Sequence, residues 1–115
     1  MWEMIRSFLK SKIHGATITG VNRDYDGSIT LSKALIDAAG LCVHEKVLVC
    51  NLENGARFET YVIEGGDGQV EVNGAAAHLA STGDKVIVMS FCLLDDEELK
   101  EHEPLVVKPD TENNP

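Results

Sequence analysis

The chain has 115 residues, 43% hydrophobic and 25% charged, with a formal net charge of −9. That length leaves apolar surface for one core of ordinary domain size, roughly 100 to 150 residues, and the composition is too apolar for a disordered chain. The negative charge, with Lys and Arg scattered rather than run together, disfavours nucleic-acid binding, although one or two cations in a pocket outweigh a diffuse surface charge about a Debye length away.

The opening MWEMIRSFLKSKIH is interrupted by Glu3, Arg6, Lys10 and Lys12. No apolar run of signal-peptide or membrane-spanning length is expected there, which predicts a cytoplasmic protein with no membrane partner. Ile13 to Val21 is β-branched and Gly-punctuated and reads as a strand. Asn22 to Gly27 is dense in turn formers, and SITL then resumes an alternating pattern, so Gly27 and Ser28 fall where a loop enters a strand. Ser32 is a helix cap for KALIDAA, with Leu35, Ile36 and Ala39 on one face and Gly40 as the left-handed stop. Lys46 to Leu52 reads as a buried strand, Asn54-Gly55 as a type I′ hairpin turn and Arg57 to Glu64 as the returning strand. A short strand QVEV follows, then a loop NGAAAHLASTGD, then KVIVMSFCLL, whose continuous hydrophobicity predicts burial on both faces. Cys42, Cys50 and Cys92 are odd in number and not closely paired, which predicts buried free thiols rather than disulfides or a zinc site.

Six or seven short strands with one or two short helices make a mainly β domain, and closure into a small barrel removes the edges an open sheet exposes. The barrel is expected over residues 1–94. Residues 95–115, opening with DDEELKEHE, read as an acidic solvated tail, in which LVV at 105–107 is an added edge strand, a docking segment or a frayed end. A core this small also makes a subunit interface a natural source of further burial.

Three clusters hold residues able to do chemistry: Lys12-Ile13-His14, then Tyr25-Asp26-Gly27-Ser28, then Asn54-Gly55-Ala56-Arg57-Phe58-Glu59-Thr60-Tyr61 with Asn73-Gly74-Ala75-Ala76-Ala77-His78. None is distinctive alone. In this order they resemble the pattern K-[IL]-H, Y-[DE]-G-S, NG-x-RF-x-TY and NGAAAH of the pyruvoyl-dependent aspartate 1-decarboxylases. The resemblance runs from about Met4 to the DDEE segment and includes LIDAAGL and the SxGD turn.

The resemblance implies a double-psi β-barrel assembled as a homotetramer of cleaved α and β chains. It implies decarboxylation of L-aspartate to β-alanine, which supplies pantothenate and coenzyme A synthesis, through an imine to a pyruvoyl group made from Ser28. In such precursors the serine hydroxyl attacks the preceding carbonyl, here Gly27, and glycine there offers no Cβ and tolerates strained dihedrals. The two substrate carboxylates need two cations, which the resemblance places at Lys12 and Arg57, leaving open which carboxylate each holds. Tyr61 is implied as proton donor. Thr60 is implied in polarising the Gly27 carbonyl during processing, and Asn73 lies near the processed serine. Gly74, Ala75 and Ala76 form a small-residue wall that admits substrate close to backbone amides. Tyr25, His14 and His78 are assigned support.

The four histidines lack metal-ligand spacing, so no metal is expected. On one strand Arg57 and Tyr61 share a face that Thr60 does not, and a bulge or a site shared between subunits reconciles this. A silent barrel acting as a binding or assembly module is the alternative function. A serine hydrolase lacks its G-x-S-x-G elbow. Glutamate is the substrate to test against aspartate.

Overall fold

Side-chain alternation organises the computed structural model, which describes residues 4–115. Met1, Trp2 and Glu3, the extension ahead of Met4, lie outside the described residues. On β1 (Arg6–Thr17), Ser11 and Ile13 point inward while Lys12 and His14 stay half-exposed. Gly15, at φ +89°, sits at a register shift that brings Ala16 inward. β2 (Gly20–Asn22), β3 (Ser28–Ser32) and α1 (Lys33–Ala38) follow. The helix is capped by the Ser32 hydroxyl, which accepts from the Leu35 amide, and it ends at Gly40 with φ +63°; Leu35, Ile36 and Ala39 are buried as expected. β4 (Lys46–Asn51) and β5 (Arg57–Gly65) form the expected hairpin.

The hairpin turn differs from expectation. Gly55 has φ +75°, but Asn54 is not left-handed, so no type I′ turn forms. A longer loop closes instead, because Asn54 Oδ1 accepts from the Ala56 amide and its Nδ2 donates to the Leu79 carbonyl. After β6 (Val70–Asn73), Gly74–Leu79 is a 3-10 helix where a loop is expected, and β7 (Lys85–Leu94), α2 (Asp96–Leu99) and β8 (Leu105–Val107) complete the chain.

One eight-stranded sheet runs β2-β6-β3-β5-β4-β7-β1-β8, mixing parallel pairs (β2/β6, β3/β5, β1/β8) with antiparallel ones. β1 passes into β2 through Ile18 and Thr19 alone, and the Thr19 amide bonds the Val70 carbonyl, so the polypeptide itself draws the two sides of the sheet together. The small barrel expected from strand number is thus obtained. Its core is a continuous aliphatic cluster that includes Ile13, Ile29, Leu31, Val49, Val62, Val72 and Val88.

β7 is not buried on both faces. Val86, Val88 and Ser90 point inward, whereas Phe91 is 48% and Leu93 70% exposed. β4 accompanies β7 only as far as Met89, so beyond it the ribbon of Arg6–Leu9 with Phe91–Leu94 continues two-stranded. The molecule is correspondingly long, 50 × 26 × 24 Å. The cysteines are free, but none is buried: Cys42 is exposed, and Cys50 and Cys92 are half-buried.

Most side chains of the acidic segment are exposed, yet its backbone is tied down. Asp95 and Glu98 form a capping box that orders α2, Arg6 reaches Asp96 at 2.6 Å, and the His102 ring bonds the Leu9 carbonyl at 2.8 Å. LVV is the added edge strand, parallel to β1. Amide hydrogen bonds from Asn114 and Glu112 hold the Asp110 carboxyl below its usual range, fixing a terminal turn that inserts Asn113. Buried and left-handed at φ 63°, Asn113 accepts from the Thr17 amide and donates to the Thr17 and Gly68 carbonyls.

Losing these bonds strands three part-buried backbone groups. Asn113→Ala is expected to cost about 1–3 kcal/mol, measured as a lower urea midpoint than that of exposed Thr111→Ala. Equal midpoints would mean that the clamp contributes nothing.

Candidate active site

All five residues of β3 are buried, including both polar ones that begin the strand's outward series, Ser28 and Thr30. Ile29 and Leu31 fill the core, so Ser28 and Thr30 face away from it and are covered by neighbouring structure instead. The antiparallel partner β6 sets Asn73 directly opposite Ser28. From there Asn73 Nδ2 donates to Ser28 Oγ at 3.0 Å and to Thr30 Oγ1 at 2.9 Å, while Ser28 Oγ donates to the Asp26 carbonyl at 3.2 Å.

Gly74 closes the other side. It has φ +76°, and a Cβ there would lie 2.6 Å from Gly27 Cα and 2.9 Å from Gly27 N, with the Tyr25 carbonyl at 3.3 Å. The first residue of the 3-10 helix therefore rests its bare backbone on the loop that carries the Gly27–Ser28 bond. Gly27 is exposed and not left-handed, and beyond its own chain neighbours a Cβ there would meet nothing within 4 Å.

On the parallel side β3 pairs with β5 through Ile29↔Val62. One step back along that register brings Ser28 alongside Tyr61, while Gly27 lies in the loop before the strand. Phe58, Thr60 and Val62 alternate inward, while Arg57, Glu59 and Tyr61 alternate outward, and β5 follows β4 without a register shift. That removes the bulge as a way to bring Thr60 and Tyr61 to one face. Tyr61 lies opposite Lys46, and the His44 ring meets it edge-on at 6.1 Å; His44 holds φ 76°. Neither neighbour belongs to the motifs read from sequence.

The remaining expected residues are elsewhere in this chain. Lys12 and His14 line a groove of about 360 Å³ with Leu9, Val106 and Lys108, and the three strands β5, β4 and β7 separate Lys12 from Ser28 along the sheet. Among the described residues neither Lys12 nor Lys108 forms an ion pair. Arg57 is exposed at the far end of β5, four residues or about 13 Å from Tyr61. The depression of about 290 Å³ beside Asn73 and Thr30 is lined by Tyr25, Glu64 and Glu71 but by no cation. Tyr25 is 53% exposed there; Ala75 and His78 are exposed, and Ala76 packs partly against the core. One chain thus unites Ser28, Gly27, Asn73, Gly74 and Tyr61, and leaves Lys12, His14 and Arg57 apart. Thr30 and Lys108 were missed from sequence, because a threonine in a strand and a lysine in a tail carry no motif.

This arrangement has a counterpart in sequence comparison. The family model described as aspartate decarboxylase matches residues 4–115. The chain belongs to the aspartate decarboxylase family. It is 54% identical to the aspartate 1-decarboxylase of Caldicellulosiruptor saccharolyticus over 112 residues, covering 96% of this chain and 88% of that one. Identity to the Parabacteroides distasonis aspartate 1-decarboxylase is 51% over 113 residues, covering 96% and 97%, and to that of Thermoanaerobacter pseudethanolicus 48% over 114 residues, covering 97% of each. The aspartate decarboxylase motifs that bring Ser28, Asn73, Gly74 and Tyr61 together are spread over forty-five positions of sequence from Ser28 to Asn73 and more, yet meet across three adjacent strands. Among the described residues no three His, Cys, Asp or Glu side chains could hold a metal ion, and no helix is long and apolar enough to cross a membrane.

The glycine geometry is directly testable in a Ser28→Ala background. Adding Gly74→Ala is expected to cost about 1–3 kcal/mol, whereas Gly27→Ala stays within about 0.5 kcal/mol, both read from urea unfolding. Equal losses at the two positions would contradict the packing described.

Proposed function

We propose that this chain decarboxylates L-aspartate to β-alanine and carbon dioxide, using a pyruvoyl group it makes from its own Ser28. The observation that carries the reading is the setting of Ser28 in a family member: buried at the head of β3, its oxygen bonded by Asn73, with Gly27 held against Gly74. In self-processing, Ser28 Oγ bonds the Gly27 carbonyl carbon, the Gly27–Ser28 C–N bond breaks, and the hydroxyl proton passes to the released amine. The ester then loses the Ser28 α-proton and its Cβ–O bond, freeing the Gly27 carboxylate. Water hydrolyses the resulting dehydroalanine, ammonia leaves, and residue 28 becomes a ketone. Thr60 polarises the carbonyl under attack.

The site fits such a group, because Asn73 offers a hydrogen-bond donor at residue 28 and Gly74 lets the loop carrying the Gly27–Ser28 bond pack closely against it. When formed, the ketone engages the substrate amine and accepts the electron pair released with carbon dioxide. The chain's own side chains do the rest. Lys12 and Arg57 bind the two carboxylates, Tyr61 returns a proton to the α-carbon, and Ala75 and Ala76 wall the pocket with Tyr25, His14 and His78 in support.

Aspartate carries net negative charge, whereas the depression beside Asn73 is lined by Glu64 and Glu71. On this reading Lys12 and Arg57 approach residue 28 from another copy of the chain. An exposed two-stranded ribbon bearing Phe91 and Leu93 is unsuited to standing alone in water, which supports self-association, and we assign a homotetramer of cleaved chains. Free cysteines fit a reducing cytoplasm.

Intact mass measurement is expected to resolve residues 1–27 and 28–115, with aspartate-dependent release of carbon dioxide; a persistently whole, inactive chain overturns the proposal. Ser28→Ala should remain uncut, and Tyr61→Phe should be cut yet turn over about a hundredfold more slowly. Ser28→Ala and Lys12→Ala chains, each inactive alone, are expected to regain activity when coexpressed, since one supplies residue 28 and the other Lys12. No recovery in verified mixed oligomers would place Lys12 and residue 28 on the same chain.

A further inference from the structure

Thr30 lies outside the motifs that carry the family resemblance, yet its hydroxyl is 2.9 Å from the amide nitrogen that also bonds Ser28. A primary amide nitrogen has two hydrogens, held in the carboxamide plane in divergent directions. Asn73 spends one on Thr30 Oγ1 and the other on Ser28 Oγ. With the first partner in place, rotation of the carboxamide is arrested and the second hydrogen has one direction left. Ser28 Oγ, which donates its own proton to the Asp26 carbonyl, is then fixed through two hydrogen bonds.

Thr30 is itself held. It is 6% exposed, and a Cβ on Gly65 would run into its Cγ2 methyl, so the bare Gly65 backbone forms the floor on which that methyl rests. With the methyl seated, the hydroxyl is left facing Asn73. A buried strand position asks only for a β-branched side chain, and valine would fill it equally well. Asn73 is the hydrogen-bond partner recorded for the hydroxyl.

We propose that Thr30 is a positioning residue for self-cleavage, its hydroxyl orienting the Asn73 carboxamide that in turn orients Ser28 Oγ. The inference rests on the reading of Gly27–Ser28 as the processed bond. Neither Thr30 nor Asn73 exchanges a proton in the step. The Oγ–carbon bond forms, the C–N bond breaks and the serine proton passes to the amine, as before.

The test follows cleavage of freshly purified full-length chain by intact mass. Thr30→Val keeps the shape and removes the acceptor, and is expected to slow cleavage about tenfold, while Thr30→Ser, which keeps the hydroxyl, stays within about threefold of wild type. In an Asn73→Ala background, adding Thr30→Val should change the rate no further, because Thr30 acts through Asn73. Wild-type cleavage by Thr30→Val, equal slowing by the serine and valine variants, or undiminished slowing without Asn73 each overturns the inference. A wild-type chain that never cleaves overturns the processing reading itself, so the two failures are distinguishable.

Discussion

Asn73 has one carboxamide nitrogen and two hydroxyls to serve, and the structure around Ser28 is arranged to let it serve both. The antiparallel register of β3 and β6 puts Asn73 across from Ser28, and the same register leaves Thr30 two residues along on the same face. Both hydroxyls are nearly sealed from water, so an unpaired amide hydrogen or serine oxygen there carries a desolvation cost that hydrogen bonding to water cannot relieve. Displacing β6 by one residue would turn Asn73 to the opposite face and leave two buried hydroxyls without it. The aliphatic face of β6 opposes such a slip, because Val70 and Val72 would leave the core in the same movement.

Two glycines on neighbouring elements complete that arrangement, and each acts by what it lacks. Gly65 accepts the Thr30 methyl, and Gly74 accepts the backbone of Gly27. The loop before β3 is therefore pressed from one side by a helix start and pinned from the other by a hydrogen-bonded serine, even though Gly27 itself is exposed. A peptide bond in such a place can be held in one relation to the following hydroxyl by its surroundings. Proximity and orientation are the means by which an intramolecular attack gains most over a solution reaction.

The same barrel presents a surface that one chain does not cover. Its outward β7 side chains and the ribbon beyond Met89 are apolar, while the groove beside β8 gathers Lys12, Lys108 and His14 in a molecule of strongly negative net charge. Apolar area and unpaired cations on the outside are both relieved by contact between copies. On this reading, burial for stability and the delivery of substrate-binding cations are accomplished by one event.

Much was legible from sequence because it depends on local pattern. The Ser32 cap and Gly40 stop bound α1, alternation along Arg57 to Gly65 separates Tyr61 from Thr60, and the number of short strands predicts a barrel. The motif order also identified the family. What local pattern could not supply was anything set by two distant segments meeting. The hairpin turn is decided by Asn54 bonding Leu79, twenty-five residues away, rather than by the Asn-Gly pair. The acidic end is tied down by Arg6, Leu9 and Thr17, none of them near it in sequence. The continuous apolar run of β7 reads as doubly buried, but hydrophobicity does not say whether the covering surface belongs to the same chain. Sequence alone thus determined the family and which elements its motif residues occupy, since motif and periodicity are properties of neighbours along the chain. Tertiary structure decided that the glycine under steric constraint is Gly74 and that Thr30 shares the Asn73 amide, because contact across β3, β5 and β6 depends on register and on backbone approach that no linear pattern encodes.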